Sequence, residues 1–353
     1  MLTMLLLAVV GCARQESQQQ EAKRVTVYMY SEYIDPELIP EFEKLTGMKL
    51  QVDVYEDSES MLAKMSKAGG DSQYDVIVVS DVVVPALINL KLVQPLDMSV
   101  IPNAVNVGDD FKQPPFDPGS RFSLPYQWGT VGLMYRKGLL PGDEVSWSVL
   151  FDSSKQTGSF TLMDSMRDMI GIALRYHGKS MNSTSPADIM AAGELLLGAK
   201  KSSKCLGFEG GVGGKNKVLA GEAGLAVVYN GDAVRGISEQ AEQNKTSTLA
   251  FAIPKEGGVI WTDVMMVPSK APNVQGGHQF INFILDAQNG AKLSNFNRYA
   301  TPNKASMPMI AEADRNDPDI YPDAATMKTL EYLTDVGADT KLFDEVWTMV
   351  KSR

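Results

Sequence analysis

Between residues 24 and 80 the chain switches repeatedly between the hydrophobic period of a strand and that of a helix. "RVTVYMY" (24–30), "KLQVDVY" (49–55) and "YDVIVVS" (74–80) read as strands, and "DPELIPEFEKLTG" (35–47) and "SESMLAKMSKAGG" (58–70) as helices. Strands separated by single helices require crossover connections, and these build a parallel sheet with helices packed on both faces. The local chemistry agrees. Asp35 is placed as the N-cap of the first helix, Pro36 at its first position and Gly47 at its C-cap, and Ser58 opens the second helix. "YDVIVVS" is apolar along nearly all its length, as in a strand buried on both faces.

Ligands of such sheets lie beyond the carboxyl ends of the strands, so the residues at those ends carry information. "YMYSEYIDPE" (28–37) crowds three tyrosines and acidic groups there, and Ser80 closes the third strand. Farther along, "FSLPYQWGTVGLMYR" (122–136) reads as a strand with a Gly-Thr turn near its middle. "GSFTLMDSMRDMIGIALRYHG" (158–178) reads as a strand and then a helix capped near Asp164, and "AGLAVVYNGDAVRG" (223–236) repeats that design. "GGVIWTDVMMVP" (257–268) is a strand, followed by a helix at 276–286 and a loop at 297–303.

One theme recurs at these places: Tyr30, Ser31, Glu32 and Tyr33; Asp168 on a helix start; Tyr229 and Asp232; Trp261 and Asp263; Tyr299. Taken singly, Asp263 could satisfy a turn, Trp261 could be core and Asp168 could complement a helix N-terminus. Recurrence over five distant segments points instead to one shared site, suited to a flexible organic cation. Aromatic faces attract ammonium groups by roughly 0.5–2 kcal/mol each. A carboxylate hydrogen bond to a charged amine adds roughly 1.5–3 kcal/mol.

Other chemistries find little support. A net charge of −10 opposes nucleic acid as a partner, because phosphates need basic patches. His177 and His278 have no neighbours at metal-ligand spacing, so neither a metal site nor a Ser-His-Asp triad is indicated. "GFEGGVGGKNK" (207–217) fails as a phosphate loop, with Glu209 where glycine is needed and Asn216 where Ser or Thr is needed. Cys205 reads as a buried or idle thiol. No base, nucleophile or cofactor anchor stands near the aromatics, so the chain is expected to bind rather than catalyse, with no cofactor. At 353 residues it is long enough for two domains.

The first twelve residues, "MLTMLLLAVVGC", are apolar but too short to span a bilayer. They resemble a bacterial lipoprotein signal, which implies removal of residues 1–11 and acylation of Cys12. A polar tether, residues 12–23, is then expected to hold the protein to a membrane in the periplasm.

The stretches "SEYIDPELIPEFEKLTG", "YDVIVVS", "PYQWGT", "PKEGGVIWTD", "ATPN" and "YPDAATMKTLEYLTDVGA" resemble the polyamine-binding lipoproteins and periplasmic proteins of ABC importers, the PotD/PotF family. The resemblance runs from about residue 25 to the C-terminus. It implies an α/β, two-lobed periplasmic-binding-protein fold of type II, with one lobe at 24–130 and 262–308 and the other at 131–261 and 309–353. Strands crossing near Thr130 and Thr262 would act as hinges. It also implies a monomer that delivers putrescine or spermidine to an ABC permease. The family's ligand contacts fall on Tyr30, Ser31, Glu32, Tyr33, Ser80, Asp168, Tyr229, Trp261, Asp263 and Tyr299. Tyr30 and Tyr229 replace the tryptophans more usual in relatives, and Asp168 replaces a glutamate. By the same resemblance the spermidine-binding branch carries an acid at 165, an aromatic at 82 and a glutamine at 333, where this chain has Ser165, Val82 and Leu333. Asp232 resembles the putrescine branch. Putrescine is therefore expected to bind at least as tightly as spermidine, with another organic cation, a sugar or a sensing role as alternatives.

Overall fold

The N-terminal alternation folds as parallel pairing. In the computed structural model, which describes residues 24–67, 72–140, 145–244 and 246–353, β1 (Arg24–Tyr30) lies between β2 (Lys49–Tyr55) and β3 (Val76–Ser80), parallel to both. Cys12, the signal segment and the tether lie outside the described residues. Helix α1 (Leu38–Thr46) buries Leu38 and Phe42 and ends at Gly47, whose φ of 72° lets its N–H reach the Glu43 carbonyl. Its start differs from the expectation. Asp35 Oδ1 accepts from the Glu37 N–H at 2.9 Å, so Asp35 closes a turn containing Pro36, and the helix begins only at Leu38. Helix α2 (Ser58–Lys67) follows β2.

Eight strands follow one path through the sheet, in the order β2-β1-β3-β10-β5-β8-β6-β7. The new members are β5 (Ser123–Arg136), β6 (Phe160–Met163), β7 (Cys205–Glu209), β8 (Leu225–Tyr229) and β10 (Val259–Pro268). The short strands β4 (Val93–Gln94) and β11 (Glu331–Tyr332) pair with β10, and β9 (Leu249–Ala252) pairs with β5. β10 is antiparallel to both β3 and β5, whereas β6 is parallel to β7 and β8.

β5 departs from the sequence reading: it is one continuous strand of 14 residues, with no turn at Gly129-Thr130. That dipeptide is where the strand changes partners, pairing with β10 up to Thr130 and with β8 from Val131. A Cβ on Gly129 would lie 2.4 Å from Asn230 Oδ1 and 2.6 Å from the Trp261 ring, so glycine is needed for close approach rather than for turning. The turn propensity of Gly-Thr yields to the ladder with β10, which the ladder with β8 continues from the next residue.

Helices α3 (Met166–Tyr176) and α4 (Pro186–Lys200) pack against the C-terminal helix Thr340–Ser352 on one side of the second half. α3 follows Ser165 as its N-cap, while Asp164, the expected cap, pairs with Lys351 at 2.7 Å. Residues Met166 to Leu174 are all buried. Burying side chains such as Met169, Ile170, Ile172 and Leu174 contributes roughly 1.5–3 kcal/mol each and draws Asp168 into the interior with them. Two further helices, α5 (Gly213–Ala220) and α6 (Asn230–Asn244), flank β8. Helix α7 (Val274–Ile284) covers β1, starting two residues earlier than expected because Asn273 Oδ1 accepts from the Gly276 N–H at 2.9 Å. His278 on α7 is structural: Nε2 accepts from the Asp97 N–H at 2.9 Å and Nδ1 meets the Val274 carbonyl at 2.7 Å. Among the described residues, no helix is long and apolar enough to cross a membrane.

Candidate functional site

The carboxyl ends of β1, β3 and β8, the middle of β10 and the first turns of α3 and α6 all contribute residues to one cleft. Tyr30, Ser31, Tyr33, Ser80, Asp168, Tyr229, Asp232, Trp261, Asp263 and Tyr299 all line it. Glu32 is the exception. It does not line the cleft and is itself exposed, its Oε2 lying 3.0 Å from Lys215 Nζ and 3.6 Å from Arg235. Tyr28, which the sequence places at the ligand edge, lies inside β1. Its ring stacks on Tyr74 at 4.3 Å in a separate apolar cluster.

The rings meet edge to face. Tyr33 sits 5.8 Å from Tyr30 and 5.6 Å from Tyr299, Tyr299 lies 5.3 Å from Trp261, and Trp261 lies 5.7 Å from Tyr229. Edge-to-face packing leaves ring faces available to a cation and braces each ring against its neighbour. Tyr299 depends on a glycine opposite: a Cβ on Gly231 would come within 2.4–2.6 Å of its ring.

The carboxylates are held by these same rings. Asp263, 5% exposed, accepts from Tyr33 Oη at 2.6 Å. Asp168 Oδ2 accepts from Ser165 Oγ at 2.5 Å and from Tyr229 Oη at 3.5 Å. Asp232, half-buried, is hydrogen-bonded to the Tyr299 hydroxyl. Burial raises all three above the ordinary carboxylate range. For Asp263 it reaches about 7, with the neighbouring charge of Asp168 adding to burial and the Tyr33 bond opposing it.

Asp81 was missed in the sequence. It follows Ser80, is 3% exposed, lines the same cleft, and accepts from the Thr262 N–H at 3.1 Å and from Ser80 Oγ at 3.1 Å. Burial, augmented by Asp263 nearby, pushes it to about 8 against those two hydrogen bonds. The signal was present in "VIVVSD", since an acid placed one residue after a fully apolar strand stands at the ligand edge.

Arg167 also lines the cleft, but its guanidinium is anchored elsewhere. It donates to the Thr334 carbonyl at 2.9 Å and to Asn182 Oδ1 at 3.1 Å, and lies over the Phe343 ring. The remaining wall combines the apolar Val82, Ile260 and Leu333 with the acids Glu56, Asp57 and Asp164. The result is a ring-lined slot with buried acids and further acids on its wall. It suits an alkyl chain bearing ammonium groups.

A family model described as bacterial extracellular solute-binding protein matches residues 37–329. The chain belongs to that family. It is 31% identical over 370 residues to the putrescine-binding periplasmic protein SpuD of Pseudomonas aeruginosa, covering 99% of this chain and 98% of SpuD. It is 32% identical over 330 residues to the spermidine/putrescine-binding periplasmic protein of Escherichia coli, covering 93% and 92% of the two chains. Among solved structures, the spermidine/putrescine ABC transporter substrate-binding protein PotD from Streptococcus pneumoniae superposes with a TM-score of 0.76 at 28% identity, over 93% of this chain and 98% of that one. The architecture is thus the two-lobed type II periplasmic-binding-protein fold, and the family binds solutes outside the cytoplasmic membrane rather than transforming them.

Proposed function

We propose that this solute-binding protein captures putrescine or spermidine, with putrescine at least as tightly held, and delivers it to an ABC import permease. The observation that carries the reading is the set of buried carboxylates, Asp263, Asp168 and Asp81, gathered among aromatic rings in one slot, where the buried guanidinium of Arg167 is engaged by the Thr334 carbonyl and Asn182. Burial raises all three. A bound ammonium would supply the missing positive charge, and each ring would sheathe a methylene. The names of the bacterial relatives support the same cargo.

Lobe boundaries at 24–130 with 262–308, and at 131–261 with 309–353, agree with the partner change of β5 between Thr130 and Val131. Closure about Thr130 and Thr262 would bury the amine, and a permease would reopen the lobes. We assign lipid attachment to Cys12, residues 12–23 to the tether, and the monomer as the working form.

A thermal-shift panel of putrescine, spermidine, a neutral sugar and an amino acid tests the reading. At 100-fold over its Kd, a ligand stabilises by about 2.7 kcal/mol. Both amines should raise the melting temperature and the others should not. A shift with the sugar alone would replace the reading, and spermidine binding tenfold tighter than putrescine would reverse the ranking.

A further inference from the structure

A second cavity, of about 320 Å³, adjoins β10. Trp261 and Asp263 line the cleft, whereas Thr262 and Val264 line this cavity, so the strand presents its two faces to two spaces. The volume falls within the range of small-molecule sites, roughly 300–1,000 Å³. Its wall is held in place. Pro114 and Pro115 fix their own φ angles, and the loop that carries them is pinned by Asp117, which is 2% exposed. The Asp117 carboxylate accepts from the N–H groups of Phe122 and Ser123 at 2.9 and 2.8 Å and from Ser123 Oγ at 2.7 Å. Phe111, Phe116 and Tyr332 contribute rings, and Asp81, Asp110 and Asp335 contribute acids. Among the described residues that line the cavity there is no lysine, arginine or histidine. Arg167 touches this wall at the Thr334 carbonyl but lines the cleft instead.

We propose that this cavity is a second binding site, for an organic monoamine whose flat apolar body lies among the rings and prolines and whose ammonium meets Asp81 and Asp110 beside the Tyr332 hydroxyl. That hydroxyl lies 3.3 Å from Thr262 Oγ1. Partial burial raises it, and the charges of Asp81 and Asp110 add to that against the Thr262 bond, so both acids act at this end of the cavity. Asp81 is 3% exposed whereas Asp110 and Asp335 are exposed, which matches one desolvated ammonium rather than two. Among the described residues no three acids, imidazoles or thiols gather as metal ligands do. The cavity therefore fits a cation that brings its own apolar surface, held by ring faces as well as by charge. The site adjoins the cargo cleft through Asp81 and Leu333, which line both, but does not depend on what the cleft carries.

The test is calorimetric titration of phenethylamine, its uncharged counterpart 2-phenylethanol, and putrescine into the parent, Asp110→Asn and Asp263→Asn proteins. Asp110 is exposed and does not line the cleft, so its amide variant should fold as the parent does. Phenethylamine should bind the parent one to one, and should still do so after saturation with putrescine. The alcohol should bind about tenfold more weakly or worse, because it lacks the charge. Asp110→Asn should weaken phenethylamine about fivefold and leave putrescine unchanged. Asp263→Asn should weaken putrescine without weakening phenethylamine. A parent that takes up no phenethylamine, displacement of phenethylamine by putrescine, or an unchanged phenethylamine affinity in Asp110→Asn would overturn this inference. A parent that binds phenethylamine but not putrescine would overturn the polyamine reading and leave the second site standing.

Discussion

Asp263→Asn separates the cost of the binding site from its use. Asp263 is nine-tenths buried and its carboxyl is pushed up to about 7, compared with an ordinary value of 3.8. The folded state therefore holds its proton over a pH range in which the unfolded chain has lost it. With the folded value raised, stability from this group is intact below pH 4 and is lost as pH climbs through 7. Above that point ionisation costs the empty fold about 4 kcal/mol. An amide of the same shape can still accept from Tyr33 Oη, so the substitution removes the charge and little else. At pH 8 the ligand-free variant should melt above the parent, by on the order of 5 °C, and at pH 4 the two should coincide. Binding should move the other way. Losing a charge-assisted hydrogen bond to an ammonium costs about 2–3 kcal/mol, a 30- to 150-fold weaker Kd for putrescine. Scanning calorimetry at the two pH values and titration calorimetry at pH 8 read both effects. A variant that melts below the parent at pH 8, or that binds putrescine as tightly as the parent, would refute the reasoning.

Two further outcomes follow from the site and the N-terminus. Because burial holds Asp81 to about 8 and Asp263 to about 7 in the empty cleft, an ammonium must displace protons on binding. Amine affinity should rise as pH goes from 6 to 8, and titrations in buffers of different ionisation enthalpy should register proton release; identical heats in all buffers would argue against it. Replacing Cys12 with serine should move the expressed protein from the membrane fraction to the soluble fraction without altering its melting temperature, and a variant that still pellets with membranes would remove the lipid anchor from the account.

The parallel βαβ units were legible because their signals are local: apolar runs, a C-cap glycine at 47, and acids and rings at strand ends. Where local rules misled, a distant partner had taken over. Gly129-Thr130 carries turn chemistry but lies in a strand held by β10 on one side and by β8 beyond it. Asp35 looks like a helix cap, yet its carboxylate serves the Glu37 N–H in the turn before the helix. The convergence of Tyr33 on Asp263 spans 230 positions of sequence and could be inferred only from recurrence and resemblance. Glu32 shows the limit of that inference. Its partner is 183 residues away on α5, and nothing in "YSEYID" distinguishes an acid that meets cargo from one that meets a lysine. Asp81 shows the reverse case. A short helical turn, Asp81–Val83, directly after β3 keeps it at the cleft, a geometry that strand alternation alone does not specify.

The place of β10 between β3 and β5 means that the strands encoded first cannot complete their ladder until the chain has been made out to Pro268. Strands β6 to β9 and the tail of β5 come from one uninterrupted stretch, so the later-encoded half can complete its ladder first. The earlier-encoded half must wait with two raw edges until residue 268 has left the ribosome. A chain that cannot finish its first half early remains threadable for longer, a property that suits a protein bound for the far side of a membrane.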